Sequence, residues 1–153
     1  MTIVGVIVAA GESTRMGVPK QLLPIGGRPM LQWVVDAAEA SMLDQVVVVT
    51  GHYSDLIRAE IRLERAIWAH NPDPERGTMS SLRAGLAAAP APDAVMHLVT
   101  DQPEVPSETI DRVITAWDPD VHRVSLVSDQ DGPGHPMLFG ADALAEVIDE
   151  VGD

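Results

Sequence analysis

Apolar residues in this 153-residue chain fall into two patterns that alternate along its length. Short unbroken runs rich in valine and isoleucine read as strands covered on both faces. Ile3–Ala9 is the first such run, and Gln45–Thr50, with four consecutive valines, is the second. Shorter runs predict strands at residues 66–70, 94–99, 124–127 and 136–139. Between them the apolar positions recur at helical spacing. Arg28 and Pro29 open a helix running to about Ala40, in which Met30, Leu31, Val34, Val35 and Ala38 share a face. Residues 53–64 predict a helix with Ser54 as N-cap, its apolar face set by Ile57 with Ile61 and Leu56 with Leu63. Residues 78–89 predict another, stopped by Pro90, and residues 107–117 a fourth with Ser107 as N-cap. A final helix covers residues 141–151. Residues 21–25 read as a short extended piece before Gly26-Gly27, and residues 129–134 as a turn. This alternation predicts the α/β class: a Rossmann-like three-layer sandwich with a mostly parallel sheet and helices on both faces. No repeat, low-complexity tract or linker divides the chain, so residues 1–153 are expected to form a single domain.

Sheets of this kind bind ligands outside the carboxyl ends of their strands, which directs attention to the residues after each run. Those are residues 10–20, then Thr50, Gly51 and His52, then Asn71 and the set Gly77 to Ser81. Thr100-Asp101-Gln102-Pro103 follows the fourth strand, and Gly134-His135-Pro136 lies near the last two. Asp101 is the carboxylate placed directly at the end of an apolar strand. A hard oxygen ligand there suits magnesium bridging protein and nucleotide. Asp is equally a common turn residue before a proline, so both readings of Asp101 stand.

Net charge changes the picture. At −13 the chain is unsuited to a nucleic-acid surface, which needs clustered Lys and Arg. Against that background, two cations within one short loop, Arg15 and Lys20, point to a small anionic ligand. There is no cysteine, which excludes disulfides, thiolate metal sites and cysteine nucleophiles. With 46% hydrophobic residues and a mean hydropathy of +0.09, the composition is that of a globular domain. The N-terminus lacks a basic leader, and the first apolar run is too short to span a bilayer. A cytoplasmic location with no membrane partner is the expectation.

The loop itself is Ala9-Ala10-Gly11-Glu12-Ser13-Thr14-Arg15-Met16-Gly17-Val18-Pro19-Lys20. A glycine at a strand exit turns the backbone and leaves N–H groups outward as an anion cradle. The Walker A pattern fails, because Val18 and Pro19 separate Gly17 from Lys20 and no hydroxyl follows the lysine. The dinucleotide fingerprint G-x-G-x-x-G fails because Ser13 stands at its second glycine. The loop matches A-A-G-x-S-x-R-M-G-x-x-K, a nucleotidyltransferase pattern, at every specified position. Three further blocks agree with it in order: residues 77–86 (G-T-M-S-S-L-R-A-G-L), Asp101-Gln102-Pro103, and residues 134–140 (G-H-P-M-L-F-G). On these four blocks the chain resembles the molybdenum cofactor cytidylyltransferases, within the wider molybdenum cofactor nucleotidyltransferase family.

The resemblance implies the nucleotide-diphospho-sugar transferase type of fold. It implies transfer of CMP from CTP to a phosphorylated small-molecule acceptor such as molybdopterin, with release of pyrophosphate and with Mg2+ as cofactor. Arg15 and Lys20 would hold the triphosphate and offset charge on the leaving pyrophosphate, and Asp101 would hold the metal. Ala9, Ala10 and Gly11, with the hydroxyls of Ser13 and Ser81, would contact the nucleotide. Gln102 and His135 would lie on the acceptor side. Ala10 favours CTP over GTP, because guanylyltransferases of the wider family tend to have glycine there and a methyl limits the approach of a larger purine. A nucleotide-binding or regulatory relative without transfer activity remains the alternative, as does a family member using GTP or another acceptor.

The other histidines are expected to be structural. His97 inside the fourth strand reads as packed or hydrogen-bonded there, and His70 and His122 match no motif. His52 stands at a strand exit from which it could reach the site. The seven methionines are scattered and read as core filler. Members of the resembled family usually continue through a strand carrying D-x-x-T-P-x-D, whose first aspartate is a second metal ligand. This sequence stops at Asp153, so it is expected to lack that C-terminal segment and that ligand.

Overall fold

The computed structural model describes residues 1–89, 91–120, 122–129 and 132–151. In chain order the elements are β1 (Ile3–Ala9), β2 (Thr14–Arg15), β3 (Val18–Pro19), β4 (Pro24–Ile25), β5 (Arg28–Pro29) and α1 (Met30–Glu39). Then come β6 (Gln45–Thr50), α2 (Ser54–Glu60), β7 (Ile67–His70), α3 (Thr78–Ala88) and β8 (Ala94–Val99). The last are α4 (Ser107–Ala116), β9 (Val124–Asp129), β10 (Gly132–Gly140) and α5 (Ala141–Val151). Among the described residues the main sheet has the order β7-β6-β1-β8-β10-β9. β7, β6, β1 and β8 run parallel, whereas β10 pairs antiparallel with both β8 and β9. The expected α/β sandwich with a mostly parallel sheet is what forms.

The valine and isoleucine runs build the centre because alternate side chains serve opposite faces. Ile3, Ile7, Val46, Val48, Met96 and Leu98 meet Leu31, Val35, Ile57 and Ile110 from α1, α2 and α4. Val4, Val6, Val47, Val49 and Val95 meet Leu82, Leu144 and Ile148 from α3 and α5. Val46 to Val49 are all fully buried, each worth roughly 1.5–3 kcal/mol over exposure. The chain lays β6 and β7 on one side of β1 and then crosses back to place β8 on the other. Strand order therefore reverses between β1 and β8, and a crevice opens beyond their carboxyl ends. Register brings those ends level, with Val8 opposite Val99 and Ala9 opposite Thr50.

Several boundaries differ from the sequence pattern. The extended piece expected at residues 21–25 is a 3-10 turn over Lys20–Leu22, followed by a small ladder in which β4 pairs with β5. Arg28 and Pro29 thus belong to that ladder, and α1 begins at Met30. There Arg28 lies over the Trp33 ring and is ion-paired with Asp36. α2 stops at Glu60, four residues early, because the next segment is held extended by α1. Gln32 exchanges two hydrogen bonds with the Arg62 backbone, and Glu39 accepts from the N–H groups of Glu64, Arg65 and Ala66. Leu56 is exposed in consequence, outside the expected apolar face.

Neither predicted serine cap forms. Tyr53, in a left-handed conformation with φ 62°, precedes α2, and the Ser54 hydroxyl bonds Thr50 and Gly51 instead. Pro106 occupies the cap position of α4, its fixed φ leading Ser107 directly into the first turn. The strand expected at residues 136–139 begins earlier, at Gly132, with an irregular register between Gly134 and Met137. Of the turn expected at residues 129–134, Gln130 and Asp131 lie outside the described residues, as do the helix stop Pro90 and the terminal Gly152 and Asp153.

Candidate nucleotide site

The loop after β1 is a hairpin. β2 pairs with β3 across a two-residue turn, Met16 and Gly17, both at positive φ (53° and 80°), the twist that tight hairpins favour. The Lys20 N–H donates to the Ser13 carbonyl at 2.9 Å, which returns Lys20 to the strand exit. Gln21 then locks the loop from beneath: its Nε2 donates to the carbonyls of Ala9 (3.0 Å) and Gly11 (3.1 Å). From the neighbouring strand, the Thr100 hydroxyl donates to the Val8 carbonyl at 2.8 Å and ties the two strand exits together.

Between these exits lies a cavity of about 240 Å³. Ala9, Gly11, Ser13, Lys20 and Gln21 form one wall, and His97, Thr100 and Asp101 the other. Val8 and Val99 supply the apolar part of the lining, and Thr78 at the start of α3 closes one side. Lys20 Nζ stands 3.8 Å from Asp101 Oδ2, with both side chains about half exposed. An exposed pair at this distance adds little to stability, so both charges remain available to a ligand. The lysine suits phosphate oxygens. Among the described residues no three His, Asp or Glu side chains gather to hold a metal by themselves. A lone exposed Asp101 fits magnesium, which commonly takes one or two carboxylates and fills its shell with water and substrate phosphates.

The remaining predicted residues lie elsewhere. Arg15 is exposed on the hairpin, outside the cavity lining. Gln102 and His135 line a separate small hollow with Val34, Ala37 and Val105. Ser81 is buried and its hydroxyl accepts from Asn71 Nδ2 at 3.0 Å. Ala10, expected to bear on the choice of base, is buried and outside the cavity lining. A Cβ placed on Gly51 would come within 2.9 Å of the Ala10 methyl and 2.8 Å of Pro74. Ala10 therefore packs under the β6 exit, where only glycine fits beside it.

Three residues carry more than their sequence context indicated. Asn71 organises the segment before α3, donating to Ser80 and Ser81 and accepting from the Asp73 N–H. Gln21 was hidden inside an apparently extended piece. His97 is packed and hydrogen-bonded as expected, yet it also lines the cavity. Its legible signal is strand alternation: His97, Val99 and Asp101 are spaced two apart, so they share a face as β8 leaves the sheet. Its Nδ1 is 3.3 Å from His135 Nε2, with the rings edge to face at 4.6 Å. Burial, and secondarily His135, push the His97 pKa down to about 4. Burial also lowers His135, against an opposing pull from Asp101. Just after β6, His52 stands 3.8 Å from Glu12 and 3.5 Å from Glu75, and the Tyr53 hydroxyl donates to the Glu12 carbonyl. No helix among the described residues is long and apolar enough to cross a membrane.

The bifunctional protein GlmU of Xylella fastidiosa (strain 9a5c) is 32% identical over 147 residues, covering 95% of this chain and 32% of that protein. The chain thus spans about a third of the length of its GlmU relatives. Nicotine blue oxidoreductase of Paenarthrobacter nicotinovorans is 33% identical over 148 residues, covering 91% of this chain and 71% of that protein. The crystal structure of Rv0371c from Mycobacterium tuberculosis H37Rv superposes with a TM-score of 0.82 at 31% identity, covering 95% of this chain and 75% of that one. The same protein has also been solved in complex with manganese, with a TM-score of 0.77. The fold is that of the nucleotide-diphospho-sugar transferases. Residues 5–152 match the MobA-like NTP transferase domain, and the chain belongs to that family.

Proposed function

We propose that residues 1–153 act as one nucleotidyltransferase domain that moves CMP from CTP to a phosphorylated small-molecule acceptor, releasing pyrophosphate. The observation that carries this reading is the meeting of Lys20 and Asp101, 3.8 Å apart, in a cavity at the β1/β8 switch point of an NTP transferase fold. In-line transfer to the α-phosphorus needs no protein nucleophile, only positioning and neutralisation of charge. Lys20 holds the triphosphate and offsets charge on the departing pyrophosphate. Arg15, exposed on the hairpin, supplies a second cation for the phosphates. Backbone groups of Ala9, Ala10 and Gly11 and the hydroxyl of Ser13 hold the nucleoside side, while the buried Ser81 acts through Asn71 on the start of α3. His135 and Gln102 face the acceptor. Asp101 would hold magnesium, which supplies charge neutralisation to the phosphates when bound, and the manganese complex of Rv0371c supports a divalent-metal site.

CTP as donor and molybdopterin as leading acceptor rest on the resemblance of the four sequence blocks to cytidylyltransferases. The relative named nicotine blue oxidoreductase supplies a second reading, hydride transfer. Ser13, standing at the second glycine of a dinucleotide loop, weighs against it. The test is pyrophosphate release with CTP, GTP or ATP, Mg2+ and molybdopterin. Acceptor-dependent release, highest with CTP, is the expected result. Tight CTP binding without release would favour a nucleotide-binding relative that transfers nothing.

A further inference from the structure

We propose that Gln21 and His97 form a recognition subsite on the inner wall of the cavity for a ribose hydroxyl of the bound nucleotide. This rests on the cavity being a nucleotide site, and it adds two polar residues to those that the sequence blocks indicate.

Gln21 is 4% exposed, and its Nε2 is committed to two loop carbonyls. Those two acceptors fix which end of the amide is nitrogen. Its Oε1 is buried and has no hydrogen-bond partner among the described residues. His97 is 6% exposed, and its Nδ1 is occupied by His135. Its Nε2 is likewise buried without a partner among those residues. Both residues line the same cavity, beside the apolar Val8 and Val99. Buried polar atoms left unpaired are uncommon and costly, and a ligand that completes them gains what the empty site forgoes.

The chemistry of the two atoms selects the ligand group. Gln21 Oε1 only accepts, so an ionised phosphate oxygen, which also only accepts, cannot meet it. His97 Nε2 donates or accepts according to which ring nitrogen carries the proton, since either imidazole of the pair can donate to the other. A hydroxyl both donates and accepts: its proton goes to Gln21 Oε1 while it accepts from His97 Nε2–H, the tautomer in which His97 Nδ1 accepts from His135. Lys20 and Asp101 mark the phosphate end of the cavity, and ribose is the part of a nucleotide attached next to the phosphates. A cavity of about 240 Å³ is smaller than the usual range for whole ligands and suits this fragment.

Calorimetric titration of CTP, 2′-deoxy-CTP, 3′-deoxy-CTP and tripolyphosphate tests the subsite, in wild type and in His97→Asn and His97→Gln. Asparagine keeps a polar atom near Nδ1, towards His135, whereas glutamine reaches the position of Nε2. One deoxy analogue is expected to bind wild type about tenfold more weakly than CTP, the effect of one hydrogen bond. His97→Asn should lose about the same factor for CTP, lose nothing for tripolyphosphate, and no longer distinguish that analogue. His97→Gln should restore the discrimination. Equal binding of CTP and both deoxy analogues by wild type would overturn the subsite, and this comparison needs no variant to fold. Parallel loss of CTP and tripolyphosphate in His97→Asn would also overturn it, marking His97 as structural only. If wild type binds tripolyphosphate but no nucleoside triphosphate any better, the nucleotide reading itself fails and the subsite falls with it.

Discussion

At the scale of single residues, the proposed site rests on two exposed charges and one buried ring. Lys20→Ala should weaken CTP binding roughly 10- to 100-fold, as expected for a charge-assisted contact, while binding of cytidine changes little. Equal losses for both ligands would place Lys20 away from the phosphates. Asp101→Ala should abolish the gain in CTP affinity that magnesium brings. Its side chain is 58% exposed, so thermal stability should stay unchanged. His97 gives a pH signature of its own. Its folded pKa of about 4 lies below the ordinary 6.5, so the unfolded chain takes up a proton first as pH falls. The stability tied to neutral His97 is present above pH 6.5 and is lost as pH falls towards 4, on the order of 3 kcal/mol in all. Urea unfolding at pH 7.5 and 4.5 should show wild type losing more than His97→Phe; equal losses would contradict the burial of a neutral ring. The residues of the loop pattern and Asp101 were legible because each follows a strand directly. Gln21 was not, since its role depends on carbonyls contributed by other parts of the chain, and for His97 alternation gave the face but not the contact with His135.

At the scale of elements, α3 is the part whose placement matters most, because Thr78 at its first turn lines the cavity. It lies close to the sheet at Gly85, where an added Cβ would stand 2.6 Å from Val6 Cγ1 and 3.2 Å from Val49 Cγ2. Both valines are fully buried and cannot yield cheaply. Gly85→Ala should therefore destabilise by about 1–3 kcal/mol despite alanine's better helix propensity. It should also weaken CTP binding by lifting α3. A raised melting temperature would show that the helix moves away at no cost. The strands β1, β6 and β8 could be read from their valine and isoleucine runs, since a strand buried on both faces is encoded in its own residues. The end of α2 could not. Leu56 and Leu63 keep helical spacing, yet Gln32 and Glu39 of α1 capture the backbone after Ile61 and draw it out straight. The hairpin β2–β3 was equally hidden, as its turn places a methionine at positive φ, where sequence patterns favour glycine or asparagine.

At the scale of the whole molecule, the strand reversal between β1 and β8 sets the position of the site, and the acidic body makes its lysine distinctive. A net charge of −13 repels polyphosphates at long range, and ligand capture must come from local cations and a metal. Affinity for CTP should accordingly rise with added magnesium. Everything proposed for this cavity depends on its binding a nucleoside triphosphate, with CTP preferred. The decisive experiment is calorimetric titration of CTP, GTP and ATP into the protein, with and without Mg2+. Binding that magnesium strengthens, and that favours CTP over both purine nucleotides, is the expected outcome. Absence of binding by all three nucleotides in the presence of Mg2+ would contradict it.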